Sequence, residues 1–468
     1  MRILFVSPYT EPDSIPLGHW TPLHVPFMAA LLQEKGHTVS LFDRYAAVAR
    51  VGLDKSSVDR AMLDHVRRFR PDLIGFNTLS PLIHDTVTCA EMIRSIYGGP
   101  MVAGGHHASA LPELTLQRIP ELSGVVEGEG EFPMLHLAEG NDPEHIHGLW
   151  WKRSANDIVH TPPRQIRDLD RLPVPALDVL DLRFYRRANV QALRGFYLSS
   201  LSLLTSRGCV RKCDFCAESL TYGQGVRYHG AEYVLAWLER VVGTHPVEAV
   251  YFLDNDFLGS ESRAVSICEG ILNRGLHRKI RWGIQARVDR IQPGMVRLLK
   301  QAGCILVEIG VESGSQKDLD SVHKGSDVSL NEHAVSILRR NGMACHVYMM
   351  AGFPGETWTD LDRKLDWLER FGPVSCGLAL LQLYPKTRMY RNKGCTFFET
   401  RPWTQDEVRR FFNTVHFAEF SDREWRSWYN ERYLKYFRRR YHLNLLQRNA
   451  PSRLLRFVIQ ARLRSGLL

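Results

Sequence analysis

Thr205-Ser-Arg-Gly-Cys209-Val-Arg-Lys-Cys213-Asp-Phe-Cys216 places three thiols with three and two residues between them, just beyond the apolar run Leu201-Ser-Leu-Leu. Thiolates so close together suit an iron–sulfur cluster. A cubane ordinarily takes four cysteine ligands, so three leave one iron open to something that is not protein. Gly208 fits a loop folded tightly about a cluster, and Arg207, Arg211 and Lys212 would offset cluster and thiolate charge. The competing reading is a zinc site, which wants a fourth ligand that Asp214 or a distant His could supply.

On both sides of this loop the sequence alternates strands and helices. Downstream, Leu201-Ser-Leu-Leu-Thr, Ala249-Val-Tyr-Phe-Leu, Ile280-Arg-Trp-Gly-Ile-Gln, Ile305-Leu-Val-Glu-Ile-Gly, Ala344-Cys-His-Val-Tyr-Met-Met and Cys376-Gly-Leu-Ala-Leu-Leu read as six strands. They predict a partial (β/α)6 barrel over 201–390, with its site where strands give way to loops. Upstream, residues 1–140 offer strands at Ile3–Ser7, Thr38–Phe42, Asp72–Asn77, Met101–Gly105 and Gly124–Glu127, with amphipathic segments between them. That order predicts an α/β domain, a doubly wound parallel sheet binding its ligand at the carboxyl ends of the strands. Pro162, Pro163, Pro173 and Pro175 break residues 141–200 into a linker with some β structure. Residues 391–468 turn helical and aromatic, and the stripe containing Trp403, Phe411, Phe412, Trp425, Trp428 and Tyr433 reads as packing.

Composition narrows the class. With 468 residues, 44% hydrophobic and 24% charged, the chain can bury more than one core and lacks a disordered signature. Six of the nine cysteines are scattered through strands and helices, so there is no disulfide framework. No run of about eighteen uninterrupted apolar residues suggests a membrane-spanning helix, which makes a soluble cytoplasmic protein the default expectation. The formal charge of +9 comes from the tail, where Ser421–Leu468 holds twelve Lys or Arg against three Asp or Glu. An acidic partner or an anionic lipid surface would suit it; a solvated helical face is the simpler reading, and no nucleic acid is expected.

The Cys-x3-Cys-x2-Cys spacing, with Phe215 before the last thiol, resembles the signature of the radical S-adenosylmethionine (SAM) superfamily. The resemblance implies that Cys209, Cys213 and Cys216 hold a [4Fe–4S] cluster whose open iron chelates SAM, and that reductive cleavage yields a 5′-deoxyadenosyl radical. It extends over about 201–390. Asp254, Asn255 and Asp256 stand where the family holds the methionine amine, Arg287 where it pairs the methionine carboxylate, and Glu312 with Ser313 at the ribose. From sequence alone Arg287 could instead pair with Asp289 or Asp256, and Glu312 could cap a helix. Gly352-Phe-Pro-Gly-Glu356 also recurs in this branch and could be a turn without chemistry.

The first domain resembles the cobalamin-binding domain fused ahead of the radical domain in one large branch. Thr78 and Ser80 after one strand, Gly104, Gly105 and His106 after the next, and Glu127 and Gly128 in Glu-Gly-Glu-Gly-Glu carry that likeness and are its candidate cobalamin contacts. The Asp-x-His-x2-Gly signature of a histidine on the lower cobalt face is absent from this domain. Together the resemblances imply a cobalamin-dependent methyltransferase acting on a small-molecule or lipid-like substrate, with an external reductant such as flavodoxin or ferredoxin. A cobalamin-dependent radical cyclase, oxidase or rearrangement enzyme shares the same domain order, and an iron–sulfur electron-transfer or interaction protein is the reading from another class.

Overall fold

The computed structural model describes residues 1–10, 21–154, 157–190 and 192–437. The basic tail expected to meet an acidic or lipid partner therefore lies, from 438 onward, outside the described residues.

Two parallel sheets dominate. In the first, β1 (Arg2–Ser7), β2 (Thr38–Asp43), β3 (Leu73–Asn77), β4 (Met101–Gly104) and β5 (Gly124–Val126) pair in the order β2-β1-β3-β4-β5, all parallel. Strands such as Leu-Ile-Gly-Phe-Asn are apolar up to the closing Asn77 because helices cover both faces. The order reverses between β1 and β3, which opens a crevice outside their carboxyl ends. Two strands inside the proline-rich stretch, β6 (Leu149–Ser154) and β7 (Asp157–His160), add antiparallel to β5. They extend the first sheet rather than only connecting it to the second.

The second sheet contains β8 (Ser200–Leu203), β11 (Ala249–Phe252), β12 (Arg281–Ala286), β13 (Cys304–Glu312), β14 (Ala344–Ala351) and β15 (Ser375–Leu380), parallel and adjacent in chain order. Between β8 and β11 a two-stranded ribbon, β9 (Ser206–Arg207) with β10 (Arg227–Tyr228), brackets the cysteine loop. The result is an open half-barrel with helices on its outer face. Tyr433 covers its last strand: the phenol accepts from Leu378 N at 3.1 Å and donates to Cys376 O at 3.1 Å, which occupies part of an otherwise open edge.

The two sheets share cores. Phe27, on the helix His24–Glu34 of the first unit, packs edge-on against Trp237 behind the half-barrel, ring centroids 5.6 Å apart. Phe398 and Trp403, beyond the half-barrel, sandwich His107 of the first unit at 5.1 and 4.8 Å. The aromatic stripe is thus buried packing: Trp403, Phe411 and Phe412 share a core with the first unit, and Trp425, Trp428 and Tyr433 join the core of the half-barrel. Among the described residues no helix is long and apolar enough to cross a membrane. Phe398 is fully buried, so Phe398→Ala should cost about 3–5 kcal/mol. Thermal unfolding should show the loss as a single lowered transition, whereas an unchanged midpoint would contradict this shared core.

Candidate active site

The cysteine loop is pinned by carboxylates that do not face it. Asp254, at the end of β11, is fully buried; Oδ1 accepts from Thr205 N at 2.5 Å and Ser206 N at 3.1 Å, and Oδ2 from Thr205 Oγ1 at 2.6 Å. Burial raises its pKa, and Arg263 together with these donors opposes the rise. Both oxygens are occupied, so Asp254 positions the strand entering the loop rather than presenting a carboxylate to a ligand. Asp214 is committed as well, to Arg388 at 3.1 Å and His323 at 3.0 Å, which removes it as the fourth ligand that a zinc site would need.

Gly208 turns the loop at φ 87°, where a Cβ would sit 2.3 Å from Gly225 O. Only glycine fits there. The Cys209 thiol accepts from Arg211 N at 3.5 Å, Cys213 Sγ lies 3.9 Å from Lys324 O, and Cys216 is exposed. Burial raises the pKa of the Cys213 thiol, although Lys324 opposes the shift. Among the described residues no three His, Cys, Asp or Glu side chains converge on one metal-ion position, as a zinc site requires. A cubane takes each thiolate on a different iron, so the loop fits a cluster in chemistry and spacing.

A cavity of about 530 Å³ opens inside the half-barrel. Asn255, Arg287 and Glu312 line it, joined by Lys324, whose ammonium sits 2.6 Å from Glu312 Oε1. Glu312 holds φ at 61° where the β13–β14 register shifts, a backbone strain that costs of order 1–3 kcal/mol and often accompanies ligand sites. Arg287 pairs with Asp289 at 2.6 Å and more loosely with Asp256, whose Oδ2 lies 3.8 Å from an Nε that makes no hydrogen bond. Asp289 also meets Arg211 at 3.2 Å, linking this cavity to the cysteine loop. Asp256 stands behind Arg287, accepting its backbone N–H at 3.3 Å. Ser313 is turned into a buried network with Asp318 and Lys364, away from the cavity.

A second cavity, about 620 Å³, occupies the crevice at the carboxyl ends of the first sheet. Gly104, Gly105, His106 and Gly128 line it. Gly105 has φ 102°, and a Cβ would meet Asn77 Oδ1 at 2.6 Å and Thr78 O at 2.7 Å, so only bare backbone fits there. Thr78, Ser80 and Glu127 stand behind this wall. Thr78 Oγ1 donates to Gly104 O at 2.8 Å, Ser80 pairs with His107, and Glu127 accepts from Trp150 Nε1 at 2.8 Å. Leu204, Arg207, Thr221, Tyr222 and Leu253 close the far side, so the crevice borders the cysteine-loop ribbon.

Arg207 joins the two sides. Its Nη1 lies 2.7 Å from Glu129 Oε1 and its Nη2 2.6 Å from Glu131 Oε1, all three side chains buried; Arg227 takes the other Glu129 oxygen at 2.6 Å. Sequence reasoning had Arg207 offsetting cluster charge. The guanidinium instead faces the first domain, because two buried carboxylates satisfy it more completely than a solvated loop could.

Residues 16–138 match the B12 binding domain family, and residues 203–368 match the radical SAM superfamily. The chain is a radical SAM enzyme with a B12-binding domain ahead of its radical domain. This radical SAM enzyme is 28% identical over 398 residues to an uncharacterised methyltransferase of Pyrococcus horikoshii, covering 83% of this chain and 82% of that one. It is 24% identical over 409 residues to the anaerobic magnesium-protoporphyrin IX monomethyl ester cyclase of Rubrivivax gelatinosus, covering 84% and 70%. TsrM from Kitasatospora setae, a radical SAM methyltransferase solved with cobalamin and a [4Fe–4S] cluster, superposes with a TM-score of 0.67 at 18% identity, over 96% of this chain and 89% of that chain. At that identity the likeness is one of fold.

Removing one partner of the interdomain ion cluster of this radical SAM enzyme strands buried charge. Arg207→Met should destabilise the protein by about 3–5 kcal/mol. Denaturant unfolding measures it; a loss below about 1 kcal/mol, the range of exposed ion pairs, would show that the cluster is solvated.

Proposed function

We propose that this enzyme methylates an unactivated carbon of a small-molecule biosynthetic intermediate, with Cys209, Cys213 and Cys216 holding the cluster. Asn255, Arg287 and Glu312 face SAM in this reading, and Gly104, Gly105, His106 and Gly128 cradle cobalamin. When bound, the cluster with SAM supplies hydrogen abstraction and the corrinoid supplies a methyl group.

The observation that carries the reading is the crevice between the first sheet and the ribbon that brackets the cysteine loop, which sets the cobalamin cradle of this reading beside the loop that would hold the cluster. The chain's own residues do the positioning. Arg287 Nε makes no hydrogen bond, although it faces Asp256 at 3.8 Å, and the guanidinium is a donor suited to a carboxylate. The strained turn at Glu312 presents acceptor oxygens beside Lys324, suited to hydroxyl groups. Leu79, Leu82, Leu204 and Leu253 give the crevice an apolar lining that excludes water. Val210, 60% exposed, and the exposed Lys212 leave the cysteine loop open to an acidic external reductant such as flavodoxin or ferredoxin.

Anaerobic reconstitution with iron, sulfide and hydroxocobalamin, followed by reduction and incubation with SAM and candidate substrates, tests the proposal. Methyl transfer requires two fates of SAM, so 5′-deoxyadenosine and S-adenosylhomocysteine should both form, with the SAM methyl group on a product carbon. A turned-over substrate yielding 5′-deoxyadenosine without S-adenosylhomocysteine would contradict methyl transfer and favour a cyclase or oxidase.

A further inference from the structure

Four strands of the half-barrel send polar side chains to one point deep in the 530 Å³ cavity. Glu308 is fully buried on β13, four residues before Glu312. By strand rise it lies about 13 Å further from the carboxyl end. Its Oε2 accepts from Tyr251 on β11 at 2.8 Å, from Arg194 in the stretch before β8 at 2.7 Å, and from the Tyr348 phenol on β14. The Tyr348 oxygen in turn accepts from Gln285 on β12 at 3.0 Å. Leu306, one inward position deeper on β13, joins Leu193 and Leu198 in an apolar cluster, so the polar layer forms the floor of the cavity.

This floor is incomplete. Glu308 lines the cavity together with Arg194, Gln285 and Tyr348, yet its buried Oε1 accepts no hydrogen bond. An ion pair that served only to close the barrel could give way to apolar side chains of similar volume at little cost, and one with an unsatisfied oxygen is poorer still. A ligand that donates a hydrogen bond to Oε1 completes the layer. Burial raises the pKa of Glu308, but Arg194 and the two phenols oppose the rise and favour the carboxylate, the stronger acceptor. Surrounding charge selects the donor. Arg194 is matched by Glu308, Lys324 by Glu312 and Arg287 by Asp289, so an incoming ammonium would add unbalanced charge to a buried site. Met350, Leu378 and Ala379 give the β14–β15 side an apolar wall suited to hydrocarbon.

We propose that the floor of the half-barrel cavity is a substrate subsite, at which Glu308 accepts a hydrogen bond from an uncharged hydroxyl group carried on an apolar part of the substrate. The inference rests on the reading above, in which Asn255, Arg287 and Glu312 face SAM nearer the strand ends, and it adds the class of substrate: an apolar alcohol. Glu308 is then a specificity residue, rewarding the hydroxyl and leaving an analogue without it facing an unpaired carboxylate oxygen.

The full chain, reconstituted anaerobically with iron, sulfide and hydroxocobalamin, is titrated with cyclohexanol and with methoxycyclohexane, which keeps the ring and the oxygen but lacks the donor. Ligand-observed NMR reads both dissociation constants, with and without saturating S-adenosylhomocysteine. A hydrogen bond to a buried carboxylate predicts that the alcohol binds about tenfold or more tightly than the ether, and that S-adenosylhomocysteine leaves it bound. Glu308→Gln should reduce that preference to about twofold or less. Where Glu308→Gln does not fold, the double variant Arg194→Met/Glu308→Leu, which replaces the ion pair with apolar volume, should bind the two probes equally. Equal affinities in the unsubstituted protein, no binding of cyclohexanol, or a preference that survives in either variant would overturn the subsite. So would displacement of cyclohexanol by S-adenosylhomocysteine, which would give the floor to the adenosine of SAM. None of these readouts uses turnover, so the subsite can fail while methyl transfer stands, and methyl transfer can fail while the subsite stands.

Discussion

The contact of Arg207 with Glu129 and Glu131 holds the two halves of this enzyme in register. A guanidinium removed from water is costly unless its donors are matched, and here two carboxylates take separate nitrogens while Arg227 occupies the remaining Glu129 oxygen. Glu129 lies on the loop after β5, Glu131 opens the helix that follows, and Arg207 lies on the ribbon that opens the cysteine loop. Fixing those three side chains therefore fixes the far wall of the crevice relative to its floor. Apolar packing by Phe27, Phe398 and Trp403 supplies adhesion between the units, and the ion cluster supplies direction.

Around that joint, charged residues chiefly hold other residues in place. Asp254 fixes the strand before the cysteines, Asp214 fastens the middle of the loop to the segments carrying His323 and Arg388, and Asp289 bridges Arg211 to Arg287. The consequence is a cysteine loop fastened to the segments around it, and a cavity wall whose polar groups are held in place.

The sheets were legible in the sequence because buried parallel strands are continuous apolar runs: the expected strands at Thr38–Phe42 and Ala344–Met350 end within a residue of Thr38–Asp43 and Ala344–Ala351. The antiparallel pair β6–β7 was hidden by the prolines that follow it. At the site, the cysteine loop and Arg287, Glu312 and Gly105 could be picked out by their place after a strand. Which way a side chain turns there could not. Thr78, Ser80, Asp254 and Ser313 sit in the expected segments but face inward, because nearby backbone groups or buried side chains capture them. Arg207 and Glu131 are 76 residues apart and Glu312 pairs with Lys324 across the short helix Gln316–Ser321, so their partnerships exist only once the chain has folded. The repeated acids of Glu-Gly-Glu-Gly-Glu were the one visible hint that a buried cation needed partners.

The central claim is that one crevice, held by the Arg207 cluster, is bordered by both the cobalamin site and the cysteine loop. Paramagnetic coupling between the two metal centres tests it most directly. In protein loaded with both, the cob(II)alamin resonance should broaden and relax faster once the cluster is reduced to its paramagnetic state, and should not change on reduction in a Cys213→Ala protein that lacks the cluster. A cob(II)alamin resonance indifferent to the cluster's oxidation state in the fully loaded protein would contradict the account.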